Sequence, residues 1–364
     1  MGDNRWLELL YNRRLELLCA HLSAAATSAT PAAVPAASSS EIDPRAQERV
    51  CVVTGMNKGV GYQIAKRIGR EKTKRWYVVA CARDPAKGEV AVAQLISEGV
   101  PSSQIEFKQV DIDDQGSIDK FAAWFAEQSY GRDRRLCALI NNAAIQIEAG
   151  APDDPTFADQ ARPTLRTNFF QTVAMTEALT PYLSPTDGRI VFVSSMSGPQ
   201  AWADTGRSVQ QRLLAAEQQK RGAATGAKAE ATELKAMARE FVAAAEASTA
   251  SDGSDVSGGW APTTYGTSKM LLIAYTRWLA RRYATDPRTA GVRVNACCPG
   301  FCATDMTIRP GGVTSKGANM GEDRGQQSPV QGADTPIWLA TLPAAAPHGG
   351  MFQDRQMMEA PGWW

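Results

Sequence analysis

Short apolar runs rich in β-branched residues recur at residues 50–54, 77–81, 105–110, 136–140, 190–193 and 292–296. Most are separated by segments of helical period, such as residues 60–70 and 118–127. Each run is too short for a buried helix and apolar at successive positions. That suits a strand covered on both faces rather than one with a wet side. Such alternation means βαβ units, whose right-handed crossovers build an α/β, doubly wound, Rossmann-like parallel sheet. A last short run at Met351 and Phe352 makes the expected sheet mostly parallel and seven-stranded. Residues 49–364 are therefore expected to form a single domain, although length alone would suggest about two.

Two regions break the pattern. In residues 1–48, Leu7, Leu10, Tyr11, Leu18 and Leu22 share one helical face, and a Ser/Ala/Thr/Pro tract follows at residues 23–40. Such a tract cannot build a core and reads as a linker. The amphipathic piece is either a tail or a plastid or mitochondrial targeting segment. Asp3, Glu8 and Glu16 argue for the tail, since transit peptides are poor in acids. The second region is a helical insertion at about residues 198–260. There Leu234, Met237, Phe241, Val242 and Ala245 form an apolar stripe, and a Ser/Asp/Gly-rich loop follows at residues 248–259. The stripe packs on its own domain or meets a partner.

Composition narrows the function. A net charge of +1 offers no case for a nucleic-acid partner. No apolar run approaches the roughly 18 residues a membrane helix needs. Seven irregularly spaced cysteines argue against a disulfide framework and fit a reducing compartment, so a cytoplasmic location is expected. With only His21 and His348, a multi-histidine metal site is excluded, no metal is expected, and acid–base chemistry falls to other side chains.

The first run leads into Thr54-Gly55-Met56-Asn57-Lys58-Gly59-Val60-Gly61 and then a helix. Glycines there let the backbone approach a pyrophosphate, and the helix N-terminus offers unpaired N–H groups. The second run ends in Ala80-Cys81-Ala82-Arg83, where an NAD-type site would carry an acid. Arg83 suits the 2′-phosphate of NADPH, Lys58 adds a second charge, and Asp84 beside Arg83 could neutralise it.

Tyr265 and Lys269 lie one turn apart at the start of a helix expected over about residues 264–284. A nearby ammonium favours a phenolate, which would bring a tyrosine into acid–base range. Ser194 and Ser195 follow the fifth run, Asn141 and Asn142 the fourth, and Asn168 interrupts a helical pattern that asparagine does not favour.

Together these residues resemble the short-chain dehydrogenase/reductase superfamily, with its TGxxxGxG, NNAG, Asn, Ser, YxxxK and PG pattern, over about residues 49–364. The likeness is to its monomeric NADPH carbonyl reductase branch, through Asn57-Lys58-Gly59, Ala82-Arg83-Asp84, Asp111-Ile112-Asp113-Asp114 and Cys297-Cys298-Pro299-Gly300. The resemblance implies NADP(H) as cofactor and reduction of a ketone, aldehyde or quinone. It gives Tyr265 the role of proton donor and places Lys269 on the nicotinamide ribose. Ser195 would bind the carbonyl oxygen, and Asn168 would hold a water that links Lys269 to solvent. The cofactor would further meet Gly55, Asn57, Lys58, Gly59, Val60, Gly61, Arg83, Asp111, Ile112, Asn142, Ala143, Pro299, Gly300, Cys302 and Thr304. Cys298, Phe301 and Met306 would join Ser195 around the substrate, and Cys298 would be either a reactive thiol or a packed one. Two departures stand out: Ala144 replaces the glycine of NNAG, and Phe301 stands where that branch has tryptophan. A monomer is expected, because the insertion would cover the surface other members use to associate. The alternatives are a reductase of one terpenoid- or alkaloid-type ketone, and a non-catalytic NADP-binding scaffold.

Overall fold

Eight strands form one sheet in the order β3-β2-β1-β4-β5-β6-β7-β8 in the computed structural model. It describes residues 48–72, 75–147, 154–218, 231–307, 327–343, 345–359 and 362–363. The amphipathic segment and linker expected before residue 48 lie outside the described residues, as do Gly222 and Gly226 within the insertion. The strands are β1 (Arg49–Thr54), β2 (Trp76–Ala82), β3 (Ile105–Gln109), β4 (Leu136–Asn141), β5 (Arg189–Val193), β6 (Arg293–Cys297), β7 (Met351–Gln353) and β8 (Gln356–Met357). The first seven are parallel and match the expected runs within a residue or two.

Period-two alternation sorts their side chains into two cores. Val50 and Val52 join one layer, while Cys51 and Val53 join the other, all fully buried. Helices α1 (Gly59–Gly69), α2 (Pro85–Ser97), α3 (Gln115–Glu127), α4 (Phe157–Leu165) and α5 (Thr172–Leu179) fill most of the early crossovers. Their starts are chemically marked. Asp84 accepts a hydrogen bond from Lys87 N ahead of Pro85 at the first helical position, and Asp114 accepts one from Gly116 N.

Past β5 lie α6 (Ser197–Asp204), α7 (Arg207–Gln218), α8 (Thr232–Glu246) and α9 (Thr264–Thr285), and α10 (Asp334–Thr341) follows β6. The apolar stripe Leu234, Met237, Phe241, Val242 and Ala245 is buried within this chain. Phe241 meets the rings of Phe157 and Trp260 edge-on, at 6.2 and 5.4 Å between centroids.

The eighth strand departs from expectation. Asp354 and Arg355 both take left-handed backbone (φ 51° and 61°), the geometry of a tight two-residue hairpin turn. Asn-Gly would announce such a turn; Asp-Arg does not. Contacts elsewhere hold it, with Arg355 Nε and Nη2 donating to Asp334 at 2.6 and 2.7 Å and Arg355 N to Thr335 Oγ1 at 3.2 Å.

His348 pins β6 to α9. Val294 N donates to its Nδ1 at 3.0 Å, so Nε2 carries the proton and donates to Ala280 O at 2.8 Å. A second proton would abolish the first bond, and burial already holds this imidazole below its ordinary value. The unfolded chain therefore binds the proton more readily than the folded one. The stabilisation is complete above about pH 6.5 and is lost as pH falls toward the depressed folded value. Urea midpoints at pH 7.5 and 5.5 should fall more for the natural protein than for His348→Gln; an equal fall in both would refute this.

Candidate active site

The carboxyl ends of β1 and β4 meet where the strand order reverses, which is where open α/β sheets bind ligands. Thr54 Oγ1 accepts from the N–H groups of Asn142 and Ala143, each at 3.0 Å. Asn142 Nδ2 returns bonds to Thr54 O at 2.9 Å and Gly55 O at 3.2 Å. Gly55 has φ +67°, open to glycine, and a Cβ at Gly61 would lie 2.4 Å from Gly55 O. The loop is thus a cradle that a side chain would fill. Lys58 at the N-cap of α1 makes no side-chain cap, so the first N–H groups of that helix receive no partner from the N-cap side chain. A pyrophosphate fits such a cradle.

The expected phosphate-binding charges separate in role. Lys58 pairs with Asp305 at 2.5 Å, both exposed, and so ties the glycine loop to the loop after β6. Arg83 is exposed at the end of β2, and among the described residues no carboxylate pairs with its guanidinium. Asp84 does not neutralise it, being turned to cap α2 and to face Lys87 at 3.6 Å. Asp111 accepts from Asp113 N at 3.0 Å, and the buried Ile112 lies between them.

Ser195, Tyr265 and Lys269 converge on the same edge from β5 and α9. Thr263 Oγ1 accepts from Gly266 N at 3.0 Å, which starts α9 one residue before Tyr265. The Ser195 hydroxyl reaches the half-buried Tyr265 phenol. Lys269 Nζ is buried, donates to Val193 O at 3.0 Å and sits 5.5 Å from the Tyr265 ring centre. Burial brings this ammonium down to about 8, against the opposing pull of the thiols of Cys298 and Cys297. Burial raises the Tyr265 phenol, Cys298 adds to that, and the Ser195 hydrogen bond opposes it. Within the protein alone, desolvation keeps the phenol protonated, the form an acid must have.

Asn168 lies in a π-helical turn, Arg166–Gln171, between α4 and α5. Its amide is committed to protein groups. Nδ2 donates to Ile145 O at 2.8 Å and Ser268 Oγ at 3.1 Å, and Oδ1 accepts from Ile145 N at 2.8 Å. Ser268 Oγ in turn donates to Tyr265 O at 2.7 Å. In the sequence Ser268 reads as an ordinary helical serine, and no local signal marks its bond to Asn168.

After β6, Gly300 takes φ +79°, and Cys302 Sγ donates to Pro299 O at 3.1 Å. Thr304 approaches Gly59, while Phe301 and Met306 are half-buried nearby in sequence. Cys298 is buried and accepts from Gly300 N at 3.3 Å and from Met196 N. Burial pushes its thiol up, which favours the packed thiol over the reactive one.

A family model described as short chain dehydrogenase matches residues 49–206, and one described as enoyl-(acyl carrier protein) reductase matches residues 214–336. Carbonyl reductase (NADPH) 3 of Mus musculus is 34% identical over 310 residues, 84% of this chain and 96% of the relative. The chain belongs to the short-chain dehydrogenase family. Carbonyl reductase (NADPH) 1 of Sus scrofa is 33% identical over 317 residues, 85% of this chain and 94% of that relative. Among solved short-chain dehydrogenase folds, salutaridine reductase from Papaver somniferum superposes with a TM-score of 0.63 at 23% identity, covering 84% of this chain and 99% of that one. Menthone neomenthol reductase from Mentha piperita gives 0.60 at 23%, with the same coverage. Both show the shared fold.

The Cys298 assignment is open to direct measurement. Iodoacetamide at pH 7 followed by peptide mapping should leave Cys298 unmodified in the folded protein and alkylate it after denaturation. Rapid native labelling would make it a reactive thiol.

Proposed function

We propose that this chain reduces a carbonyl (ketone, aldehyde or quinone) to an alcohol with NADPH, with Tyr265 as the proton donor. The reading is carried by the convergence of Ser195, Tyr265 and Lys269 beside a glycine cradle and an uncapped helix start. The similarity to NADPH carbonyl reductases over most of the chain supports the same chemistry.

The cofactor, when bound, supplies the hydride. Gly55, Asn57, Gly59, Val60, Gly61 and the first turn of α1 hold its pyrophosphate. Arg83 takes the 2′-phosphate, Lys58 lends charge from its pair with Asp305, and Asp111 and Ile112 line the adenine side. Asn142 and Ala143 meet the adenosine side, and Pro299, Gly300, Cys302 and Thr304 face the carboxamide side. Lys269 holds the nicotinamide ribose. Ser195 donates a hydrogen bond to the substrate carbonyl oxygen and fixes it in line with Tyr265. The Tyr265 proton moves to that oxygen as charge develops there. Lys269, cationic at neutral pH, then favours the phenolate left behind. Asn168, its side chain fixed by Ile145 and Ser268, holds the water that links Lys269 to solvent and returns the proton. Phe301 and Met306 shape the substrate side, and Cys298 supports it from within the core.

Residues 49–364 act as one reductase domain with the insertion at about residues 198–260, and residues 1–48 are a tail on a cytoplasmic protein. The enzyme is a monomer. In α9, 16 of 22 residues are buried, which leaves only a narrow face of the helix, toward its C-terminal end, for a second subunit. The insertion closes that face with a buried ion pair. Glu217 meets Arg277 at 3.2 Å and accepts from Trp363 Nε1 at 2.8 Å, and Trp363 stacks on Trp202 at 4.7 Å.

Tyr265→Phe should lower kcat for NADPH-dependent reduction of menadione and of benzaldehyde by about 100-fold or more, the usual weight of a general acid. NADPH should still bind; an unchanged rate would remove Tyr265 as the acid. Replacing Arg83 by Ala removes charge-assisted bonds and should weaken NADPH about 10-fold or more. NADH should be nearly unaffected, and equal losses for both would overturn the 2′-phosphate assignment.

A further inference from the structure

Ser197 is the first residue of α6, two residues beyond Ser195. A serine that caps a helix sits one position earlier, at the N-cap, where it accepts from a backbone N–H. This one does not: the N-cap position is Met196, and no side-chain cap is made. The Ser197 hydroxyl instead faces Ser195. Ser195 Oγ donates to Ser197 Oγ at 3.2 Å, and Ser197 N donates back to Ser195 Oγ at 3.2 Å. Two bonds to one neighbour fix both the position and the rotamer of a hydroxyl that would otherwise spin freely.

The same residue touches the helix that carries the acid. A Cβ at Gly266 would lie 2.8 Å from Ser197 O, and one at Gly198 would lie 2.8 Å from Ile273 Cδ1 and 3.1 Å from the Lys269 carbonyl carbon. The start of α6 is thus pressed against the first turns of α9 with no room for adjustment. Ser194 locks the other flank, its N–H on Cys297 O at 2.7 Å and its hydroxyl on Lys269 O at 3.3 Å.

We propose that Ser197 is a positioning residue: its hydroxyl orients the Ser195 hydroxyl toward the substrate oxygen and Tyr265. This rests on the carbonyl-binding role given to Ser195 above. Ser197 does not touch the reacting atoms. Its hydroxyl accepts the Ser195 proton at rest and, as that proton turns to the carbonyl, donates its own to Ser195 Oγ. Such chains of hydrogen bonds strengthen one another in a low-dielectric site.

Four variants test this with NADPH and menadione: Ser195→Ala, Ser197→Ala, and the isosteric pair Ser197→Thr and Ser197→Val. Losing one orienting hydrogen bond should lower kcat about five- to tenfold in Ser197→Ala and Ser197→Val. NADPH affinity should stay as in the natural protein. Ser197→Thr, which keeps the hydroxyl, should restore most of the rate. The loss should fall on kcat with KM for NADPH little changed, and a rate restored by Thr but not by Val is a result that a merely structural serine would not give. The inference fails if Ser195→Ala is inactive while Ser197→Ala and Ser197→Val keep the full rate. It also fails if Thr and Val lose activity equally, because the hydroxyl is then irrelevant. A Ser195→Ala form with the natural rate overturns the Ser195 assignment, and this one with it. Should Ser197→Ala not fold, the Thr and Val pair carries the comparison alone.

Discussion

The bonds between Thr54 and Asn142 hold the edge on which everything else is assembled. Where β1 and β4 sit side by side, their following segments leave toward opposite faces of the sheet and open a crevice. Splayed chain ends of this kind leave backbone groups without sheet partners. Thr54 Oγ1 and the Asn142 amide supply those partners across the gap, with four bonds between 2.9 and 3.2 Å. The glycine cradle keeps its shape because Asn142 occupies the space a side chain at Gly61 would need. One short polar contact therefore sets both the opening and its floor.

A second network carries order from that edge to the acid. Asp113 accepts from Thr167 at 3.1 Å and pairs with Arg166, also at 3.1 Å, which clamps the π turn. From there the path runs through Asn168 and Ser268 to the Tyr265 carbonyl. Apart from the exposed Arg166, every member is a short polar side chain in a buried or half-buried setting, where an unmet partner is costly. That explains why an asparagine is tolerated within a helix: the helix loses regularity, and the fold gains a strut between three segments.

Burial then decides the electrostatics. Lys269 and Tyr265 are one turn apart, and proximity alone would lower the phenol. Desolvation pushes both groups toward their neutral forms and wins for the tyrosine. An acid poised in its protonated form, beside an ammonium at about 8, suits proton donation better than a preformed phenolate would.

The alternation of strands and helices, the glycine loop, Arg83 and the Ser195, Tyr265 and Lys269 set were all legible from sequence, because period and spacing are local properties of the chain. The seven parallel strands followed for the same reason. The partners of each charge were not legible. Asp84 stands next to Arg83 in the chain yet caps α2, while Lys58 pairs with Asp305, nearly 250 residues away. The Asp354-Arg355 turn carries no turn signal, since Asp334 and Thr335 hold it from another element. Ser197 and Ser268 read as unremarkable helical serines until folding brought Ser195 and Asn168 against them. Sequence by itself determined the elements and the kinds of reacting group; tertiary structure decided their partners, orientation and ionisation. The physical reason is that hydrogen bonding and desolvation depend on neighbours in space, which a linear pattern does not encode.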